Sequence, residues 1–90
     1  SNIQRELEEV RKIFEGRSED SYTPAEVARL RGVRYRQLAA AEMIMSCLYE
    51  LRDGLGLSDN PNIIAEIAEV QASIEELKQE LIAFDNLHDE

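Results

Sequence analysis

The side chains that most often carry out catalysis or bind metals are scarce in this sequence. The 90-residue chain has one cysteine, Cys47, one histidine, His88, and no tryptophan. One Cys and one His cannot form a zinc site of the usual kind within one chain, and a single Cys cannot form an internal disulfide. A catalytic thiol needs a positioned base and an electropositive site, which nothing near Cys47 supplies. We therefore interpret Cys47 as a small buried hydrophobic residue and His88 as an exposed residue near the end of a helix.

Carboxylates are abundant, but their pattern does not indicate catalysis. The chain has 19 Asp and Glu against 10 Lys and Arg, which gives a net charge of -9. The acidic residues fall on the polar faces of predicted helices, where they are solvated. The sequence also lacks a glycine-rich phosphate loop, a nucleophile elbow and a His-based acid–base pair. We expect no enzymatic activity, no cofactor and no bound metal.

Length and hydropathy restrict the class of protein further. A chain of this length is expected to form one domain, here residues 1–90, with a thin core that self-association would help to cover. No apolar run approaches the length of a membrane span, so we expect no membrane partner. The first twenty residues are charged and periodic, and they do not resemble a signal peptide. With the single Cys, this pattern predicts a cytoplasmic protein.

The charge is unevenly distributed along the chain. Residues 1–20 have four basic and six acidic groups, and residues 42–90 have two basic and twelve. Between them, residues 21–41 have four arginines against one glutamate, a net charge of +3. The acidic bulk argues against general phosphate binding, whereas the basic segment leaves nucleic acid as a possible partner.

Two stretches have the apolar spacing of amphipathic helices. In the first, four apolar residues recur in steps of four, three and four: Ile3, Leu7, Val10 and Phe14. In the last, which follows the helix-start signal Asn60-Pro61, seven apolar residues alternate in steps of four and three from Ile63 to Phe84. Such heptad spacing is typical of helices that pack along a coiled-coil seam. It predicts helices over residues 3–15 and 61–86.

The middle stretch begins with a strong helix-start signal. Thr23 can cap a helix, Pro24 suits its first position, and Glu26 can complete a capping box. From Leu38 to Leu51, apolar residues cover most of the helix circumference, which is typical of a helix that is buried on several sides. We expect a helix over residues 24–54, and we expect a second copy of the chain to help cover it.

A short pattern surrounds Gly32. Its positions are a small residue, a glycine four residues later, and two apolar residues: Ala28, Gly32, Val33 and Leu38. Two helices that cross closely need a small residue at the contact and a residue that tolerates positive φ at the bend. With this pattern, residues 22–41 resemble the helix-turn-helix of the MerR and excisionase families. That resemblance implies that the second helix enters the DNA major groove. By the same resemblance, bases would be contacted by Arg34, Tyr35, Arg36 and Gln37, and phosphates by Arg29 and Arg31.

The resemblance ends at Leu38. Families of this type continue with a polar stretch and a wing, whereas this chain continues into Ala-rich, apolar sequence. The alternative is one long helix from Pro24 to Gly54 that tolerates Gly32 at a cost of about 1 kcal/mol. We expect this straight or gently bent helix, because no second capping signal occurs near residue 34.

These observations predict an all-α fold with three helices. The fold is either a three-helix antiparallel bundle or a coiled-coil-like hairpin of the second and third helices with the N-terminal helix added, and we expect it to dimerise. The leading function is a small, non-enzymatic, regulatory protein that acts through self-association or a protein partner. The alternative is a DNA-binding regulator that uses residues 23–41. The predicted association seam consists of Leu38, Ala41, Met45, Leu48, Ile67, Val70, Ile74, Leu77, Leu81 and Phe84.

Overall fold

The computed structural model describes residues 2–89, which form three α-helices. Helix α1 is Asn2–Phe14, α2 is Pro24–Gly54 and α3 is Pro61–His88, and a short 3₁₀ helix, Glu19–Ser21, lies between α1 and α2. No β-strand occurs within the described part of the chain. The predicted all-α fold with three helices is therefore confirmed, and each helix bound lies within two residues of its predicted position.

The helix ends follow from local chemistry. The Thr23 hydroxyl accepts a hydrogen bond from the Glu26 backbone N–H at 3.1 Å, and the Glu26 carboxylate accepts one from the Thr23 N–H at 2.9 Å. This capping box satisfies two backbone donors at the start of α2. At the start of α3, the Asn60 side chain accepts from the N–H groups of Asn62 and Ile63. After α2, the chain reverses through Gly56, whose φ of 65° favours glycine.

Helices α2 and α3 pack against each other as an antiparallel hairpin. Their contact follows the heptad spacing of α3, and the seven apolar residues at that spacing from Ile63 to Phe84 are all at least partly buried. On α2, the residues that face α3 recur with the same steps of three and four from Leu38 to Arg52. The predicted pairing of the second and third helices is thus confirmed.

Helix α1 packs only against the first half of α2. The core cluster of the protein lies there, and it consists of Val10, Leu30, Val33 and Phe84. Val33 is fully buried, because α1 and the large Phe84 side chain enclose it together. Around this cluster pack Leu7, Phe14, Tyr22 and Val27.

The molecule is elongated as a result. Its extents are 51 × 26 × 18 Å and its radius of gyration is 16.4 Å, whereas a compact domain of this length has a radius near 12 Å. At 1.5 Å per residue, α2 is about 46 Å long and α1 only about 20 Å. In the half of the hairpin that lies near the connection between α2 and α3, the described structure is therefore only two helices thick.

The predictions for the cysteine and the histidine are both wrong. Cys47 is exposed rather than buried, because α1 packs on α2 around Leu30, Val33 and Arg36, which precede it along the helix. His88 is only 10% exposed, because its ring stacks on Tyr22 at 5.9 Å between centroids and contacts Phe84 at 4.4 Å. The last turn of α3 is therefore part of the folded structure rather than a free end.

Candidate functional site

The largest run of uncovered apolar side chains lies on the second half of α2. Met43 and Leu55 are 69% and 67% exposed, and Ile44 is 53% exposed. Five exposed residues recur at helical spacing over this half of α2 and the residue that follows it, Leu55: Met43, Ile44, Cys47, Leu51 and Leu55. We call these five residues the α2 open face. Residues three and four apart lie on one side of a helix, so the α2 open face is a continuous strip rather than scattered side chains.

This strip continues the face on which α1 packs. Leu30 and Val33 contact α1, and Ile44 and Cys47 lie fourteen residues further on at the same heptad positions. Residues that are seven apart lie on nearly the same side of a helix. Helix α1 therefore covers the first part of one apolar face and leaves the remainder in solvent.

The polar side of the same helix segment is exposed as well. Glu42, Ser46 and Glu50 recur in steps of four and are all exposed. They lie beside the α2 open face, so that in this segment only the side of α2 that packs on α3 is covered. In this segment, α2 is thus covered on one side by α3 and uncovered on the other.

The predicted association seam lies inside the chain. None of its ten residues is exposed, and Met45, Leu81 and Phe84 are buried. These residues line the contact between α2 and α3. Any contact with a partner must therefore use other residues, and the α2 open face was not distinguished from the core by the sequence.

Two arginines of the basic segment pair with acidic groups in the last part of α3 and directly after it. Arg31 Nε donates to Asp85 at 2.7 Å and Arg31 Nη2 donates to Asp89 at 2.8 Å. Arg34 Nη1 donates to Glu80 at 3.4 Å. The bond with Asp85 raises the pKa of Arg31 above its ordinary value, and the charges of both carboxylates contribute.

The other predicted DNA-contacting residues are placed differently. Arg36 forms a two-pronged ion pair with Glu6 of α1, and the Tyr35 hydroxyl donates to Asp85 at 3.3 Å. Gln37 is partly buried at the edge of α1. Arg29 is exposed and has no ion-pair partner within residues 2–89. The structure therefore brings three of the four arginines to carboxylates of the same chain.

A further ion pair, between Arg17 and Glu26, joins the connection between α1 and α2 to the start of α2. The guanidinium of Arg17 donates to both oxygens of Glu26, at 2.6 and 2.8 Å, and lies 5.4 Å from the ring centres of Phe14 and Tyr22. The hydrogen bond from Arg17, with that from the Thr23 N–H, lowers the pKa of Glu26 to about 2. The pair holds the capping box closed and positions α1 on α2.

A groove of about 470 Å³ lies between α1 and α2. Its apolar lining includes Leu7, Phe14 and Leu30, and Arg34 and Glu19 lie at its polar edge. Within the described residues, no three Cys, His, Asp or Glu side chains are grouped as a metal site would require.

Comparison with family models, with characterised proteins and with solved structures gives no match to this chain. Among the helices of residues 2–89, none is both long enough and apolar enough to cross a membrane. The α2 open face is thus an exposed apolar surface that no other part of the described chain covers.

Proposed function

We propose that this protein is a small, non-enzymatic helical protein that acts by self-association, as a homodimer formed through the α2 open face. The observation that supports this proposal is the continuous exposed strip from Met43 to Leu55. Single exposed apolar residues are normal on a protein surface, whereas a contiguous strip is typical of an interaction site. Burying apolar surface is favourable by about 25 cal/mol per Å², so covering this strip would stabilise a dimer.

The regulatory role and the cytoplasmic location belong to the same proposal. We place the regulatory role on the α2 open face, which is covered when a second copy is bound and is accessible when the chain is free. Cys47 lies on the face as an exposed free thiol, and such thiols are typical of reducing compartments.

The test compares two isoleucines that are equally exposed on different helices. Ile44 on the α2 open face is 53% exposed, and Ile82 on α3 is 54% exposed. We expect sedimentation of the unmodified chain to give a dimer at micromolar concentration. Ile44→Asp should give a monomer of about 10.3 kDa with unchanged helical circular dichroism, and Ile82→Asp should remain a dimer.

Two outcomes would contradict this proposal. One is an unmodified chain that stays at the monomer mass over the whole concentration range. The other is an equal loss of association in both variants, because that would show that the α2 open face has no special part in the contact.

The DNA-binding alternative has less support from the geometry. Helix α2 continues through Gly32, so the segment after Gly32 does not leave the helix as a separate recognition helix. Three of its arginines are paired within the chain, and paired arginines are less available to phosphates. A salt titration of binding to duplex DNA tests this alternative. Binding that weakens steeply with salt and is lost in Arg34→Ala/Arg36→Ala would favour it over self-association.

A further inference from the structure

We propose that His88 is a pH-sensitive clamp: protonation of its ring ties the end of α3 to Glu19, in the connection between α1 and α2. This role goes beyond self-association and does not depend on it, because neither residue belongs to the α2 open face. The observation that leads to it is the position of one buried nitrogen atom of the His88 ring.

The Nε2 atom of His88 is buried without a hydrogen bond. The side chain is only 10% exposed, and its Nε2 has no hydrogen-bond partner within residues 2–89. A neutral imidazole has either a proton or a lone pair on this nitrogen, so both neutral forms leave a buried polar group unsatisfied. Such groups are rare in folded proteins, because they lose their hydrogen bonds to water. The neutral ring is therefore poorly matched to its surroundings.

A carboxylate lies close enough to become the partner of the protonated ring. Glu19 Oε2 is 3.9 Å from His88 Nε2, which is too long for a hydrogen bond. Glu19 is exposed and pairs with no Lys or Arg within the described chain, so its side chain is free to move closer. Protonation places a proton on Nε2 and a positive charge on the ring. His88 then donates a charge-assisted hydrogen bond to Glu19.

The other surroundings of His88 also favour a positive ring. His88 stacks on Tyr22 with an angle of 12° between the ring planes, and its centroid lies 4.4 Å from that of Phe84. Aromatic faces attract cations. The residue is also the last of α3, where the partial negative charge of the helix end favours a cation.

Three arginines near this stack carry the charge that opposes protonation. Arg17 lies 5.4 Å from the ring centre of Tyr22, and Arg31 and Arg34 lie 5.8 and 5.5 Å from that of Phe84. Each of the three is paired with a carboxylate, respectively Glu26, Asp85 and Glu80. These pairs neutralise much of the opposing charge, whereas Glu19 is left to His88.

The clamp should therefore close as the pH falls. Histidine side chains change charge between about pH 5 and 8, a range in which exposed carboxylates are ionised. The folded protein holds the proton more tightly than the unfolded chain, which lacks Glu19 beside the ring. The stabilisation is then present at the acidic end of this range and is lost as the pH rises. At acidic pH, the connection between α1 and α2 is thus tied to the last turn of α3.

The first experiment is urea unfolding of the dilute full chain at about pH 5.5 and about pH 8, the two sides of the histidine range. His88 is the only histidine of the chain. We expect the urea midpoint of the unmodified chain to be higher at the lower pH. Glu19→Gln keeps the shape of the side chain without its charge and should lose at least half of this rise. The matched control is Asp20→Asn, an exposed change in the same 3₁₀ helix, which should keep the rise.

The second experiment does not depend on stability. Nuclear magnetic resonance follows the His88 ring protons as the pH is changed, in the unmodified chain and in both variants. Glu19→Gln should lower the pH at which half of the rings are protonated by about half a pH unit, because a neighbouring opposite charge is removed. Asp20→Asn should leave that pH nearly unchanged.

Two results would overturn the proposal. One is a urea midpoint of the unmodified chain that does not rise on acidification. The other is a Glu19→Gln variant that matches Asp20→Asn in both experiments, because that would show that Glu19 is not the partner of His88. Neither result bears on self-association, which sedimentation tests separately.

Discussion

Arg31 on α2 and Asp85 on α3 are joined by an ion pair in which Arg31 Nε donates to Asp85 Oδ1 at 2.7 Å. The same guanidinium reaches Asp89 and lies 5.8 Å from the ring centre of Phe84. A residue of the basic segment thus contacts the acidic end of the last helix. Arg31 of the basic segment and the acidic residues at the end of the chain thus pair within the hairpin of α2 and α3, beside the core cluster.

The Arg31–Asp85 pair should stabilise the fold in a salt-dependent way. We expect Arg31→Gln to lower the urea midpoint of unfolding, with a smaller loss in high salt because ions screen partly exposed pairs. In a double-mutant cycle with Asp85→Asn, the two losses should not add, since both changes remove the same contact. The control is Arg29→Gln, because Arg29 has no ion-pair partner within the described chain. Equal midpoints for Arg29→Gln and Arg31→Gln would contradict the prediction.

Two methionines that are two residues apart should separate folding from association. Met45 is 6% exposed and faces α3, whereas Met43 is 69% exposed on the α2 open face. We expect Met45→Ala to reduce the free energy of unfolding by about 2–5 kcal/mol, as for other buried methionines. Met43→Ala should change the free energy of unfolding of the dilute monomer by less than about 0.5 kcal/mol. It should nevertheless weaken dimerisation. The measurements are chemical unfolding at low concentration and sedimentation at high concentration. A larger loss of monomer stability in Met43→Ala would show that our assignment of the two faces is wrong.

Gly32 offers a direct test of the helix that contains it. A Cβ built at Gly32 has no atom within 4 Å, and the residue lies inside α2 without positive φ. Alanine is about 1 kcal/mol better than glycine in a helix interior. Gly32→Ala should therefore raise the free energy of unfolding by roughly that amount. If Gly32 were instead the corner of a helix-turn-helix, the same change would destabilise the protein, because alanine does not tolerate positive φ.

Stability should depend on pH through Glu26. Its pKa is lowered from an ordinary value of 4.5 to about 2 by hydrogen bonds from Arg17 and the Thr23 N–H. The ionised form is therefore favoured in the folded state, and its stabilising effect is fully present above pH 4.5. That effect is lost as the pH falls towards 2. The free energy of unfolding of Glu26→Gln should depend less on pH in this range than that of the unmodified chain. The control is Glu76→Gln, an exposed change on α3, which should keep the pH dependence of the unmodified chain. Equal slopes of unfolding free energy against pH for the two variants would show that Glu26 is not the group responsible.

The end of α3 should contribute to stability through His88. Its ring is enclosed by Tyr22 and Phe84, so truncation removes aromatic contacts and leaves a cavity. We expect His88→Ala to reduce the free energy of unfolding by about 1–3 kcal/mol. The neighbouring Leu87 is exposed, and Leu87→Ala should have less than a third of that effect. Thermal unfolding of both variants checks the prediction, and an effect of His88→Ala as small as that of Leu87→Ala would contradict it.

Local chemistry was sufficient to predict the helices. The capping box at Thr23 and Glu26 and the Asn60 cap depend on residues within four positions of each other, so they are readable from the sequence. The heptad spacing of α3 is equally local, and it correctly predicted the face that α3 buries.

The tertiary structure alone decided which face of α2 is covered. Apolar residues surround α2 from Leu38 to Leu51, so the spacing has no single preferred direction and the sequence could not identify the exposed side. That choice depends on where α1 packs on α2, which is set by the core around Val33 and the pair between Arg36 and Glu6. For the same reason, Cys47 is exposed. His88 is buried because Tyr22, sixty-six residues earlier in the chain, packs against it. Contacts between residues so far apart leave no periodic signal in the sequence.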